Sequence, residues 1–103
     1  MDLQQATDTR FGGIARAITP KSLQRLQNAH VLILGIGGVG SWSAEALARS
    51  GVGKISLVDL DDVCITNINR QIHAMTSTVG RPKVEVMKDR LIDIAPDCQV
   101  TTI

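Results

Sequence analysis

The chain has 103 residues, 44% of them apolar and 20% charged, with a formal net charge of +1. That length allows one domain, and the charge supplies no field that would by itself call for nucleic acid or a membrane surface. One Trp, one Phe and no Tyr exclude a platform on which several bases could stack. The two cysteines, Cys64 and Cys98, form no C-x-x-C pair, which argues against a zinc site or a disulfide scaffold. No apolar stretch approaches the roughly 18 residues of a membrane span, and the start Met1-Asp2-Leu3-Gln4-Gln5 is polar. The expected compartment is therefore cytoplasmic.

Residues 1–9 are polar and read as a poorly ordered start. Thr19-Pro20 has the form of an N-cap followed by Pro at the first helical position, which predicts a short helix to about Ala29 with Leu23 and Leu26 on its buried face. The apolar run from His30 predicts a strand over about 30–35. A helix is expected from about Val39 to Ser50, with Gly51 as its stop, and a second strand over about 54–59. Residues 60–78 read as a long, polar, irregular connection. Gly80-Arg81-Pro82 then opens a helix that carries Val84, Met87, Leu91 and Ile94 on one face, Pro96 ends it, and a third strand begins at Gln99.

The order predicts an α/β fold with a Rossmann-like parallel sheet, strand order 3-2-1. Parallel sheets need both faces covered, so the chain reads as the N-terminal half of a doubly wound domain. The expected division is an N-terminal arm over 1–18 and a Rossmann-like half over 19–103. Strand one is apolar on both faces, so this half by itself is expected to self-associate.

Residues 35–40 read Gly-Ile-Gly-Gly-Val-Gly, between the first strand and the following helix. In that setting each glycine has a physical task. Gly35 permits the tight turn. Gly37 lets backbone approach a phosphate, and Gly40 lets helix and strand pack closely, with free N–H groups at the helix start facing an anion. Asp59, at the carboxyl end of the second strand, can accept hydrogen bonds from ribose hydroxyls. These features alone would also suit an NAD-binding dehydrogenase. The following segment, Asp59-Leu60-Asp61-Asp62-Val63 and then Asn67-Ile68-Asn69-Arg70-Gln71, argues against one. Arg70 offers a planar fork to phosphate oxygens, Asn67 an amide, and Lys83 an ammonium at a helix start, which suits a triphosphate on which charge develops during reaction.

Other residues have plainer readings. Asp61 and Asp62 read as solvated acids, with a role in positioning Arg70 as the alternative. Cys64 reads as a loop thiol, Cys98 and Trp42 as core, and His30 and His73 as structural histidines. Arg81, Lys88 and Arg90 read as a solvated helix face.

The G-x-G-G-x-G turn, the D-x-D-x-V and N-x-x-R-Q segments and Val79-Gly80-Arg81-Pro82-Lys83-Val84 together resemble the adenylating family of ubiquitin-activating enzymes, ThiF, MoeB and HesA. Arg10-Phe11-Gly12-Gly13-Ile14-Ala15-Arg16, Val39-Gly40-Ser41-Trp42 and Asn67 to Ala74 resemble the branch of tRNA threonylcarbamoyladenosine dehydratases. The resemblance implies an ATP site in which Gly35, Gly37, Gly38 and Gly40 face the phosphates and Asp59 holds the ribose. Asn67, Arg70 and Lys83 would then bind phosphate, with Arg70 and Lys83 catalytic. It further implies Mg2+, a tRNA substrate, a homodimer in which Arg16 (or Arg10) reaches the partner's ATP, and a sulfur-transfer partner such as a cysteine desulfurase system. Two alternatives are adenylation of a sulfur-carrier protein's C-terminus and a fragment without enzymatic activity.

Overall fold

The structure, a computed structural model, describes residues 3–103. Helices α1 (Leu3–Ile18) and α2 (Pro20–Gln27) precede strand β1 (His30–Leu34), helix α3 (Gly40–Arg49) and strand β2 (Lys54–Val58). Two single 3-10 turns follow, Ile65–Asn67 and Thr76–Thr78, then helix α4 (Lys83–Ile94) and strand β3 (Gln99–Thr102). The strands form one parallel sheet in the order β1-β2-β3, the neighbour order that the sequence predicts.

Register assigns the two faces of that sheet. Val31 pairs with Ile55 and Ile55 with Val100, and Ile33, Leu57 and Thr102 follow two residues on. This face packs on the helices, in a core that includes Phe11, Leu23, Ala44, Ala48, Met87 and Leu91. On the other face Leu32 is 56% exposed and Leu34 73%, while His30 Nε2 meets Ser56 Oγ at 2.7 Å. That face stands open among the described residues.

The start of the chain departs from expectation. Residues 1–2 lie outside the described residues, but α1 begins at Leu3 where a disordered segment was expected. Thr7 and Phe11 are buried, and Ile14 and Ala15 pack against the core at helical spacing. Gly12-Gly13 hides the helical signal in the sequence, and burial of the single Phe outweighs their low propensity. Thr7 also donates to the Asp97 carboxylate beside β3. The cap of α2 is as expected, with the Thr19 hydroxyl accepting from Ser22 N at 3.1 Å. Helix α4 turns Val84, Met87 and Leu91 inward as its spacing predicts.

Two further contacts were not foreseen. A Cβ at Gly53 would lie 1.8 Å from Gln27 O, so the entry to β2 admits only glycine. Glu45 on α3 is buried and pairs with Arg90 on α4 and with Arg49 one turn along α3. Burial alone would raise the Glu45 carboxyl; the Arg90 bond and charge outweigh it and hold the group below its ordinary range.

The open face yields a prediction. The 103-residue chain by itself self-associates through Leu32 and Leu34, and L32K/L34K shifts it toward monomer in analytical ultracentrifugation. A monodisperse wild-type chain would exclude this.

Candidate functional site

The glycine turn runs from β1 into α3. Gly35 has φ 88°, a conformation open to glycine at no steric penalty, and its N–H donates to Val58 O at 2.8 Å. A Cβ at Gly40 would lie 1.9 Å from Gly35 O. The backbone conformation thus requires glycine at 35, and close packing requires it at 40. Gly37 and Gly38 differ. A Cβ at Gly37 would meet only Gln71 Nε2, at 3.8 Å, and one at Gly38 only the Arg70 side chain, at 3.6 Å or more. Nothing in the fold demands glycine there, and the space is what an approaching ligand needs. No described residue accepts from the N–H of Gly37, Gly38 or Val39, so these donors at the start of α3 are available to an anion.

Asp59, just past β2, faces this turn. Its Oδ2 accepts from Ile36 N and its Oδ1 from Asp61 N, each at 2.8 Å. Burial would raise its carboxyl, but these two backbone donors, with the charge of Lys83, hold it below the usual range. A carboxylate can accept about four hydrogen bonds, so Asp59 keeps capacity for a hydroxyl.

The connection expected to be irregular is instead folded back onto the turn. Val63 N bonds Arg81 O and Gly80 N bonds Val63 O, both at 2.8 Å, and Lys83 N bonds Asp61 O at 3.0 Å. These bonds stitch the start of α4 to the residues after Asp59. Lys83 is 6% exposed, with no carboxylate in ion-pair contact among the described residues. The carboxylate acting on it is Asp59, through space and without direct contact, so the ammonium keeps its hydrogen-bond donors for an anion.

Asn67 closes the first 3-10 turn, its Oδ1 accepting from Cys64 N at 2.8 Å. Its amide N–H2 has no partner among the described residues. Arg70 lies over Gly38, its guanidinium donating to Thr66 O at 3.2 Å and Asn69 Oδ1 at 3.0 Å. Asp61 and Asp62 do not position it, contrary to the alternative weighed for them.

Three contacts hold this segment against the turn. Trp42 Nε1 donates to Arg70 O at 2.8 Å. Ser41 Oγ donates to Gly37 O and accepts from Ile72 N at 3.3 Å. His73 Nε2 meets Ile36 O at 2.8 Å. Trp42 is 53% exposed, so it is a tether and not the core anchor expected. His73 is structural as expected, but its Nδ1, like Gln71 Oε1, is buried without a partner. Sequence reading missed Ser41 and Gln71; local composition carries no sign of contacts that join residues far apart in the chain.

Other sequence candidates lie elsewhere. Arg16 folds back beside Gly12 on α1, and Arg10 lines a cleft of about 490 Å3 with Arg49, Arg90 and Asp93. The structure brings neither to the glycine turn. A second cleft, of about 370 Å3, opens at the other end of the sheet near Asn28, Lys54 and Gln99. Cys64 is exposed, its thiol drawn below the ordinary value by the Thr66 hydroxyl bond, and Cys98 is buried. Arg81 pairs with Asp89, and Arg90 with Glu45, so neither is a merely solvated charge. No three His, Cys, Asp or Glu side chains gather into a metal site among the described residues, and no helix there is long and apolar enough to cross a membrane.

The description "ThiF family" matches residues 13–103; the chain belongs to that family. It is 57% identical over 96 residues to the tRNA threonylcarbamoyladenosine dehydratase of Haemophilus influenzae, covering 93% of this chain and 37% of that protein. The sulfur carrier protein ThiS adenylyltransferase of Escherichia coli is 44% identical over 80 residues, 78% of this chain and 32% of that protein. The crystal structure of the E. coli tRNA N6-threonylcarbamoyladenosine dehydratase TcdA in complex with ATP superposes with TM-score 0.96 at 53% identity, over 100% of this chain and 42% of that one. The chain thus spans between about a third and two fifths of such relatives.

The glycines divide by their contacts, and this can be tested by denaturation. Gly40→Ala lowers stability by about 2–3 kcal/mol, as overpacking does. Gly37→Ala changes it by less than about 1 kcal/mol, because its Cβ meets open space. Equal losses would remove the distinction.

Proposed function

We propose that this chain is the ATP-binding half of a tRNA threonylcarbamoyladenosine dehydratase, acting through an acyl adenylate. One observation carries the reading. Gly37, Gly38 and Lys83, which makes no direct ion pair among the described residues, lie around a turn that already holds Asp59 ionised, leaving room and free donors where the fold needs neither. The dehydratase relatives, more similar than the sulfur-carrier adenylyltransferases, support the choice of branch.

In this reading Asp59 accepts the ribose hydroxyls, and the N–H groups of Gly37 to Val39 meet the phosphates. Asn67 donates its free amide to the phosphate chain. The threonylcarbamoyl carboxylate attacks the α-phosphorus and pyrophosphate leaves. Negative charge grows on the phosphoryl oxygens as it does so, and Arg70 and Lys83 stabilise that charge. The side chain's own nitrogen or oxygen then closes onto the activated carbonyl and expels AMP. Mg2+ would be held chiefly by the ATP phosphates and would neutralise the leaving pyrophosphate; no step is routed through it. A homodimer that lends Arg16 or Arg10 to the partner's site, a sulfur-transfer partner such as a cysteine desulfurase system, and a cytoplasmic location complete the reading.

The test uses the full-length protein. ATP consumption is stimulated by tRNA bearing threonylcarbamoyladenosine, and the nucleoside loses the mass of one water. Arg70→Ala lowers turnover by about 3 kcal/mol of transition-state stabilisation, the effect of removing one preorganised donor. Stimulation by a small ubiquitin-like carrier protein and not by tRNA would move the function to the sulfur-carrier branch. Unchanged turnover in Arg70→Ala would remove Arg70 from the mechanism.

A further inference from the structure

We infer that His73 is a positioning residue for the nucleotide: its Nε2–H holds the Ile36 carbonyl and so fixes the shape of the Gly35–Gly37 backbone. This rests on the ATP-binding reading above. The bond is 2.8 Å long and wholly buried, with His73 and Ile36 both 0% exposed. A carbonyl oxygen only accepts, so Nε2 carries the hydrogen. The neutral ring then presents Nδ1 as a bare acceptor, and that atom is buried without a partner. An apolar ring would fill the same volume with no orphaned nitrogen. What the imidazole adds at this place is the one donor.

That donor matters because of what flanks it. Ile36 stands between Gly35 and Gly37, residues that leave the intervening peptides free to rotate. Asp59 Oδ2 takes the Ile36 N–H at 2.8 Å, and His73 takes the Ile36 C=O. The residue is gripped on both polar groups, and the neighbouring Gly37 N–H is aimed by that grip. Removing the His73 bond leaves Asp59 to hold one side only.

The charged groups acting on His73 are Lys83 from α4 and Asp59 from the end of β2. Burial pushes the imidazole below its ordinary value, the Ile36 bond and Asp59 oppose this, and Lys83 adds to it. Burial thus favours the neutral ring, and the neutral form that donates to Ile36 O carries its hydrogen on Nε2.

The experiment compares wild type, H73Q, H73N and H73F in the full-length protein. Glutamine can set its amide nitrogen where Nε2 lies; asparagine is one methylene too short. ATP affinity from calorimetry weakens at least tenfold in H73N and H73F and stays within threefold of wild type in H73Q. Amide hydrogen exchange at Ile36 and Gly37, measured without nucleotide, is at least tenfold faster in H73N than in H73Q. If H73F does not fold, the Gln and Asn pair decides. Equal ATP affinity in H73Q and H73N, both melting cooperatively, overturns the role of the bond. If wild type binds no ATP, the functional reading fails. The exchange data then stand alone: faster exchange in H73N keeps the clamp, and equal exchange removes it.

Discussion

The site depends on one residue's backbone held from two sides. Ile36 gives its N–H to Asp59 and its C=O to His73. Asp59 stands at the end of β2, and His73 in the connection that leads to α4. The grip therefore ties together the glycine turn, the sheet and the distant segment that carries Asn67 and Arg70. Gly35 N–H and Gly37 C=O are held by Val58 and Ser41, and the grip on Ile36 fixes the peptides between them.

The electrostatics follow from the same arrangement. Asp59 is an acceptor for two backbone donors, which secures its charge against burial. Lys83 is brought to the same end of the sheet by the bonds that stitch residues 61–63 to 80–83. Its backbone is fixed by Asp61 O, while its ammonium has no ion-pair partner among the described residues. A fold that merely needed a stable helix start would expose this lysine. Here the chain buries most of it, with Asp59 acting on it only through space, and leaves its donors without a direct partner among the described residues. The same economy of contacts applies to Arg70, whose carbonyl is tethered by Trp42 and whose guanidinium meets only neutral acceptors. Two cations with no carboxylate in direct contact, beside free backbone N–H groups, favour a multiply charged anion.

Much of this was legible in the sequence because it is local. The β1–turn–α3–β2 unit follows from apolar runs and a glycine pattern a few residues long. So do the Thr19 cap and the inward face of α4. What escaped was set by contacts between remote residues. Helix α1 forms around a pair of glycines because Phe11 is buried against Gly51 and Leu23. Trp42 looked like a core residue because large aromatics usually are, yet its indole N–H has a carbonyl to satisfy at the surface. The connection 60–78 looked irregular because its order comes from Val63, Asn67, Thr78 and His73 bonding across it, with no periodic pattern to announce them.

The two kinds of glycine sharpen the functional argument beyond a motif match. A glycine-rich turn can arise for the fold alone: Gly35 is explained by its positive φ and Gly40 by close packing. Gly37 and Gly38 are not accounted for in that way, since an added Cβ at either finds room. The absence of a side chain there has a physical use only if something outside the described chain comes close. Arg70 lies above one of them and Gln71 beside the other, both from the segment that His73, Ser41 and Trp42 hold in place. The vacancy and the groups around it are therefore products of one set of contacts. The turn supplies donors, the connection supplies charge, and the Ile36 grip keeps the two in register.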